Sequence, residues 1–271
     1  MGVLFLTVNH SFGPMRRKNP SIETADSPAA GSRPGRLYLG TSGFAYPEWK
    51  GVLYPDDIRS DAMLRSYATQ FSSVEINYTY RRDASEKMIG KWASDTPDDF
   101  SFALKGHRRI TDGWRMRPDD VEPLDHFLKT IEPLGARIGP VFLQSRLKAD
   151  VGMLERFLAL LPEGRRFAFD FRHASWRTEE VKAAIGSAGA AWCVADTDDH
   201  DATLEITTPA FAYVRLRKST YEDEALARWA GDMRIALEGG TDVYCYFKHE
   251  DGDGGRGVVL ARRLRERVTS G

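Results

Sequence analysis

The stretch RFAFDFRH at residues 166–173 alternates aromatic and polar side chains with the two-residue period of a β-strand. One face of such a strand carries Phe167, Phe169 and Phe171 and suits packing against helices. The other face carries Ala168, Asp170 and Arg172. The pattern therefore predicts a strand that buries aromatic rings on one side and turns charged side chains to the other.

Seven more runs of this kind recur along the chain, and most of them end in charged residues. They are 37–43 (LYLGTSG), 72–80 (SSVEINYTY), 100–107 (FSFALKGH), 139–145 (GPVFLQS), 190–197 (AAWCVADT), 210–217 (AFAYVRLR) and 242–250 (DVYCYFKHE). Eight such runs separated by helical patterns in a chain of 271 residues predict an α/β fold, a TIM-type (β/α)8 barrel. In that fold the reactive groups gather at the C-terminal ends of the strands.

Helical spacing of apolar residues fills most of the gaps between these runs. The predicted helices are Asp61–Gln70, Ala84–Ser94, Leu124–Leu134, Val151–Leu161, Thr178–Ala188, Asp223–Glu238 and Gly257–Val268. Ser60 and Thr178 are the expected N-caps of the first and fifth of them. Residues 198–209 (DDHDATLEITTP) are too few for an ordinary helix and partly prefer a strand, so we expect helix 6 to be short or missing.

Composition fits one folded domain without a strong charge preference. A hydrophobic content of 42% supports a sizeable core, and a net charge of −1 gives no general case for nucleic acid or a membrane surface. Residues 1–35 are expected to form a disordered or loosely ordered extension, and residues 36–271 a single barrel domain. Cys193 and Cys245 fall inside predicted strands without metal-ligand spacing, which predicts reduced core thiols in a cytoplasmic protein.

Strand alternation predicts which polar side chains enter the barrel. The acids are Glu75, Asp170 and Asp196, the cations are Lys105, Arg172, Arg215 and Lys248, and the amides are Asn77 and Gln144. His249 lies at the expected rim of strand eight. Because the cations outnumber the acids, such a pocket suits a phosphate or carboxylate held by arginine. Buried ion pairs that only satisfy one another are the alternative.

Two further features lie near the same predicted mouth. The segment Gly252–Gly257 (GDGGRG) precedes the last helix, and the N–H groups of Gly254 and Gly255 are expected to help bind a phosphate there, unless the segment is only a flexible loop. Trp49 and Trp176 lie in loops after strands one and five, where they are expected to wall a ligand pocket or to anchor their loops.

Several stretches of this chain resemble the DUF72 family of YecE-like proteins. They are GTSGFAYPEWKG-LYP at 40–55, VEIN-T at 74–79, F-F-LK at 100–105, D-F-R-SW at 170–176, YVRLR at 213–217 and VYCYFKHED-G-G at 243–254. The resemblance implies a TIM-type barrel and a cytosolic location, and it brings no established activity.

The chain departs from the commoner family pattern at the predicted mouth. Asp170 stands where glutamate is usual, Arg217-Lys218 where a His-Gly pair often follows the strand, and Lys248-His249 where two asparagines are frequent. Two of these departures change charge, so the resemblance does not imply a shared substrate.

Three functions remain open from the sequence. The first is an enzyme for a small anionic substrate, with Glu75, Asp170 or Asp196 in acid–base roles, Lys105 as a proton donor or Schiff-base nucleophile, and the other cations holding the anion. The second is a metal-dependent hydrolase or isomerase, with His107 and His249 as candidate ligands. The third is a non-enzymatic module that binds nucleic acid or protein through loop aromatics and the basic residues Arg108, Arg109, Arg115 and Arg117. No cofactor is predicted, and the oligomeric state stays open.

Overall fold

A computed structural model describes residues 33–113, 121–248 and 254–270. Eight parallel strands alternate with helices in a nearly closed barrel, which confirms the predicted TIM-type architecture. The strands are β1 (Leu37–Thr41), β2 (Ser73–Ile76), β3 (Ser101–Lys105), β4 (Ile138–Ser145), β5 (Phe167–Phe171), β6 (Ala191–Asp196), β7 (Phe211–Leu216) and β8 (Asp242–Phe247). The described α-helices are α1 (Met63–Ala68), α2 (Glu86–Ser94), α3 (Glu122–Ile131), α4 (Val151–Leu158), α5 (Glu179–Ser187), α6 (Asp223–Glu238) and α7 (Arg256–Thr269).

The helix layer follows the sequence prediction in two places that matter here and differs from it in a third. Residues 197–210, all of them described, contain no helix between β6 and β7, as expected. The Thr178 hydroxyl accepts a hydrogen bond from the Val181 N–H and caps α5, as predicted. Ser60 does not cap α1, because it lies in a short 3-10 turn, Ser60–Ala62, that precedes the helix. That N-cap prediction was wrong.

The core consists of two layers separated by the strands. Phe167, Phe169 and Phe171 of β5 pack with the helices in the outer layer, as their alternation predicts. The inner layer fills the barrel with small and aromatic side chains, which are Ala103, Phe142, Ala168, Ala191, Cys193, Phe211, Tyr213, Tyr244 and Tyr246. Cys193 and Cys245 are both free and buried, as expected.

The barrel closes between β1 and β2 through side chains more than through a strand ladder. The only described bridge that joins them is Ser42 with Glu75, next to the end of β1. The Tyr67 hydroxyl of α1 accepts the Thr41 N–H at 2.8 Å and donates to the Ser73 carbonyl at 3.0 Å. We call this contact, made by Thr41, Tyr67, Ser73, Ser42 and Glu75, the β1–β2 seam.

Three parts of the sequence predictions lie outside the described residues. These are most of the N-terminal extension (residues 1–32), the segment 114–120 with Arg115 and Arg117, and the segment 249–253 with His249. The division into an extension and a barrel domain therefore stays a prediction. No helix in the described ranges is long and apolar enough to cross a membrane.

Candidate functional site

Aromatic side chains form a floor beneath the C-terminal mouth of the barrel. The rings of Phe142 and Tyr213 stack with centroids 5.3 Å apart, and the Tyr246 hydroxyl lies 2.6 Å from the Ser73 hydroxyl. These residues lie on strands that reach the mouth, so they separate the polar groups above from the apolar interior below. The site therefore has a rigid base.

Glu75 lies at the centre of the polar layer and is fully buried. Its Oε1 accepts hydrogen bonds from Ser42 Oγ at 2.8 Å, Asn77 Nδ2 at 3.0 Å and Arg215 Nη2 at 2.8 Å. Its Oε2 accepts one from the Tyr213 hydroxyl at 2.8 Å. Burial alone would raise the pKa of Glu75, but the charge of Arg215 and these hydrogen bonds outweigh it and lower the pKa to about 2. Glu75 therefore stays ionised, and most of its lone pairs already accept hydrogen bonds.

Arg215 links the two carboxylates of the site. Besides its bond to Glu75, its Nη1 lies 3.6 Å from Asp170 Oδ2, and its guanidinium lies 4.7 Å from the centroid of the Phe142 ring. The side chain is buried, and its Nε–H has no hydrogen-bond partner among the described residues. Burial disfavours its charge, but Glu75 and the other nearby acidic groups raise the pKa of Arg215 overall, so the guanidinium stays protonated.

A second chain of contacts runs from Asp170 to Lys105. Asp170 Oδ2 accepts from Gln144 Nε2 at 2.7 Å and lies 2.7 Å from Arg172 Nη2. The Gln144 Oε1 in turn accepts from Lys105 Nζ at 2.9 Å. The ends of β3, β4 and β5 thus hold a lysine and a carboxylate on opposite sides of one amide, and Gln144 is oriented by both.

Lys105 has the most perturbed lysine environment of the described site. Its ammonium lies 4.2 Å from the centroid of the Tyr80 ring, which the short turn Tyr78–Tyr80 places beside it. Burial and the charge of Arg215 lower the pKa of Lys105 to about 8, although Glu75 and Asp170 oppose the shift. This amine therefore exchanges its proton close to neutral pH.

Two more cations complete the mouth. Arg217 follows β7, and its side chain has no hydrogen bond or ion pair within the described part of the chain. Burial and the neighbouring Arg215 lower the pKa of Arg217 to about 10. Lys248 follows β8, and burial together with Arg217 lowers its pKa as well. The described cations here therefore lie close enough to repel one another.

The predicted inward placement of Asp196 is wrong. Small residues of β6, Ala191 and Cys193, fill the narrow interior, so Asp196 falls on the opposite face with the helix layer. Its Oδ1 accepts the Ala202 N–H at 2.9 Å, and its Oδ2 lies 3.4 Å from Trp229 Nε1 of α6. Asp196 thus holds a loop and a helix in place and does not face the mouth.

The two tryptophans do not wall the mouth. Trp49 is fully buried, and Trp176 stacks on Phe171 at 4.1 Å and donates its indole N–H to the Leu147 carbonyl at 2.8 Å. Both therefore anchor their loops, which corrects their assignment as ligand-binding residues.

Gly254 and Gly255 both have positive φ values, 61° and 82°, and Gly255 precedes the first residue of α7. Their proposed phosphate contact stays a prediction.

The described histidines give no metal site. His107 Nδ1 accepts the N–H of Arg109 at 3.2 Å, and no three His, Cys, Asp or Glu side chains within the described ranges are grouped so that they could hold a metal ion. His249 lies outside those ranges. The metal hypothesis therefore gains no support from the part of the site that can be described.

A cavity of about 380 Å³ opens beside the site, where β5 and β6 part. Their ladder pairs only Ala168 with Ala191 and Phe169 with Trp192, so Asp170 and Arg172 border open space on the β6 side. Asp170 and Arg172 therefore line this cavity as well as the mouth.

Several contributors to the site are not among the candidate residues named from the sequence, although Arg217 was noted at the predicted mouth. Tyr213, Tyr80 and Ser42 provide a hydroxyl, a ring face and a second hydroxyl, and Arg217 provides a cation. The signal for Tyr213 and Arg217 was present, because both share the alternation of Arg215 along β7. Tyr80 lies after the end of β2, where alternation no longer applies.

Comparison with known proteins agrees with the resemblance seen in the sequence. The family described as "Protein of unknown function DUF72" matches residues 38–271. The curated relative UPF0759 protein YecE of Escherichia coli (strain K12) is 29% identical over 142 residues, which cover 51% of this chain and 48% of that protein. The alignment thus spans about half the length of that relative.

Two solved structures share the fold. A DUF72 family protein from Thermotoga maritima MSB8 superposes with a TM-score of 0.74 at 25% identity, covering 85% of this chain and 98% of that chain. Another, from Enterococcus faecalis V583, gives a TM-score of 0.67 at 15% identity, covering 86% and 97%, and supports the fold alone.

Proposed function

The chain belongs to the DUF72 family, and we propose that it is an enzyme that binds a small anionic substrate at the C-terminal mouth of its barrel and transfers a proton there. The observation that carries this proposal is the charge of Arg217, whose side chain has no hydrogen bond or ion pair with another described residue. A partly buried guanidinium without a partner among the described residues, next to other cations, is costly to the folded protein. A bound phosphate or carboxylate would offset that cost.

The proposal assigns different tasks to the two carboxylates. With its pKa lowered to about 2 and four donors around it, Glu75 is a poor proton acceptor, so its task is to position Arg215 and Asn77. Asp170 positions Arg172 and, through Gln144, Lys105. The two carboxylates thereby set the geometry of the cations that meet the substrate.

Lys105 is the proposed catalytic group. A pKa of about 8 leaves it mostly protonated at neutral pH yet able to lose its proton, which suits general acid–base catalysis. An anionic ligand close by would favour the protonated form, so substrate binding and protonation of Lys105 should reinforce each other. The proton would pass to an oxygen that develops negative charge in the substrate.

Anion binding tests the first half of the proposal. Inorganic sulfate, whose charge is constant over this pH range, is titrated by calorimetry into wild type, R217M, K248M and the control R36M, which alters an arginine before β1 at the opposite end of the barrel. We expect R217M to weaken sulfate binding by about tenfold, as loss of one charge-assisted contact does. R36M should bind as wild type does.

The pH dependence tests the second half. Sulfate affinity should fall as pH rises through about 8, because Lys105 loses its charge there, and K105M should remove this fall. An NMR titration of the Lys105 amine should move to higher pH when sulfate is added. Undetectable sulfate binding by wild type, or an R217M variant that binds equally well, would contradict the anion site. A Lys105 amine that titrates above pH 10 without ligand would contradict the catalytic role.

A further inference from the structure

An apolar groove lies next to the proposed anion site. It encloses about 350 Å³ at the ends of β1 and β2 and is lined mainly by apolar side chains. We define the apolar groove by Phe44, Tyr46, Ile76, Tyr78, Met88 and Trp92. Tyr78 is 41% exposed, so part of its ring is open to solvent at the edge of the groove.

The loop after β1 builds one wall of this groove. Gly43 has a φ of 93°, a conformation that L side chains rarely adopt, and a Cβ there would lie 2.5 Å from the Tyr46 hydroxyl. The turn at Gly43 therefore lets Tyr46 fold back, and its hydroxyl donates to the Ser42 carbonyl at 2.8 Å. The other wall comes from α2, where Trp92 stacks on Phe102 with ring centroids 5.8 Å apart. Both walls are thus held in place by the fold.

A single oxygen atom connects the groove to the anion site. Glu75 Oε1 accepts one hydrogen bond from Arg215 and another from Asn77, and Asn77 also lines the groove. The Gly43 N–H, on the opposite wall, donates to the Glu75 carbonyl at 2.8 Å. A ligand whose charge meets the cations therefore has an apolar surface within reach of its body.

We infer that the substrate is an aromatic anion, whose ring occupies the apolar groove while its anionic group meets Arg215 and Arg217. The inference rests on the proposed function and narrows its substrate class. Tyrosine, phenylalanine and tryptophan rings favour another ring over a flexible chain, because offset and edge-to-face contacts add to the burial of apolar area. A volume of about 350 Å³ holds one ring with its substituents.

The test compares two phosphate monoesters of similar charge. Phenyl phosphate and methyl phosphate are titrated by calorimetry into full-length wild type, with inorganic phosphate as the reference. Burial of the ring should make phenyl phosphate bind about tenfold more tightly than methyl phosphate. The variants Y78S and M88Q should reduce this ratio to about threefold or less, because they weaken the binding of phenyl phosphate more than that of methyl phosphate. I235Q, at an exposed residue of α6 outside the groove, is the matched control and should keep the full ratio.

Each other outcome has a defined meaning. A wild-type ratio near one, with inorganic phosphate bound, overturns the aromatic substrate and leaves the anion site intact. Another part of the chain or a partner protein that covers the groove would also give a ratio near one, and it counts against the inference equally. A protein that binds none of the three phosphates overturns the proposed function and this inference with it.

Discussion

Glu75 shows how one buried side chain organises a site. Its burial would be unfavourable for a lone carboxylate, yet Arg215 and three neutral donors hold it ionised. Breaking such an arrangement from one side leaves the guanidinium buried with only Asp170 at 3.6 Å. The stability of the mouth therefore depends on this pair more than on any exposed ion pair of the chain.

Replacement of Glu75 by glutamine should destabilise the protein by about 3 kcal/mol at pH 7, because it leaves a buried charge without its partner. The effect should depend on pH in a defined direction. Since the pKa of Glu75 is lowered from 4.5 to about 2 on folding, its contribution to stability is present above pH 4.5 and is lost as pH falls toward 2. The gap between wild type and E75Q should therefore narrow by about 2 kcal/mol from pH 5 to pH 3.

Chemical denaturation of both proteins at each pH measures this gap. S42A, which removes one neutral donor and keeps the ion pair, is the control and should cost about 1 kcal/mol. A gap between wild type and E75Q that stays constant over this pH range would show that Glu75 is not the stabilising anion described here.

The sequence predicts the placement of most charged residues of the site and misses a defined part. Alternation placed Glu75, Lys105, Asp170 and Arg215 correctly, because each lies within a regular strand. It failed for Asp196. The polar residues of β6 were expected to face the interior, but the small residues Ala191 and Cys193 face it instead, so Asp196 lies on the outer face. The same two-residue period holds there, and only the assignment of the face was wrong.

Among the elements, the first residues of the helices show where the local sequence is enough to predict an N-cap. Thr178 is followed by Glu179 and Glu180 in the first turn of α5, so the cap and the helix dipole agree. Ser60 has the same residue preference, but the turn Ser60–Ala62 shifts the start of α1 to Met63. The sequence contains no feature that separates a 3-10 turn from the first turn of an α-helix over three residues.

The two positions make a matched pair of substitutions. T178A should lower the free energy of unfolding by about 1 kcal/mol, because the Val181 N–H loses its acceptor, whereas T178S should be nearly neutral. S60A should change it by less than about 0.5 kcal/mol, since no capping bond is lost. Denaturant unfolding measures all three. Equal losses for T178A and S60A would contradict the difference between the two helix starts.

For the whole molecule, the β1–β2 seam decides whether the barrel is closed. Seven of the eight neighbouring strand pairs are joined by ladders, and these follow from the order of the βα units. The eighth contact depends on the Tyr67 hydroxyl, and Gly40 permits its approach, because a Cβ at Gly40 would lie 2.6 Å from that oxygen. The sequence does not reveal this role of Tyr67, since hydrophobic periodicity reports the face of a side chain and not its polar partner.

Replacement of Tyr67 by phenylalanine should therefore loosen the seam. It removes the acceptor of the Thr41 N–H and the donor to the Ser73 carbonyl, and burial prevents water from replacing them easily. We expect a loss of about 1 to 3 kcal/mol in the free energy of unfolding. The Thr41 amide should also exchange with deuterium faster than the loss of global stability accounts for, because the seam opens locally before the barrel unfolds.

Y246F is the matched control, since its hydroxyl is equally buried and bonds Ser73 Oγ inside the barrel. It should lower global stability by about 1 kcal/mol without a separate effect on Thr41. Because Ser42 and Glu75 belong to both the seam and the mouth, Y67F should in addition weaken sulfate binding, and an unchanged affinity with an open seam would show that closure and the site are independent.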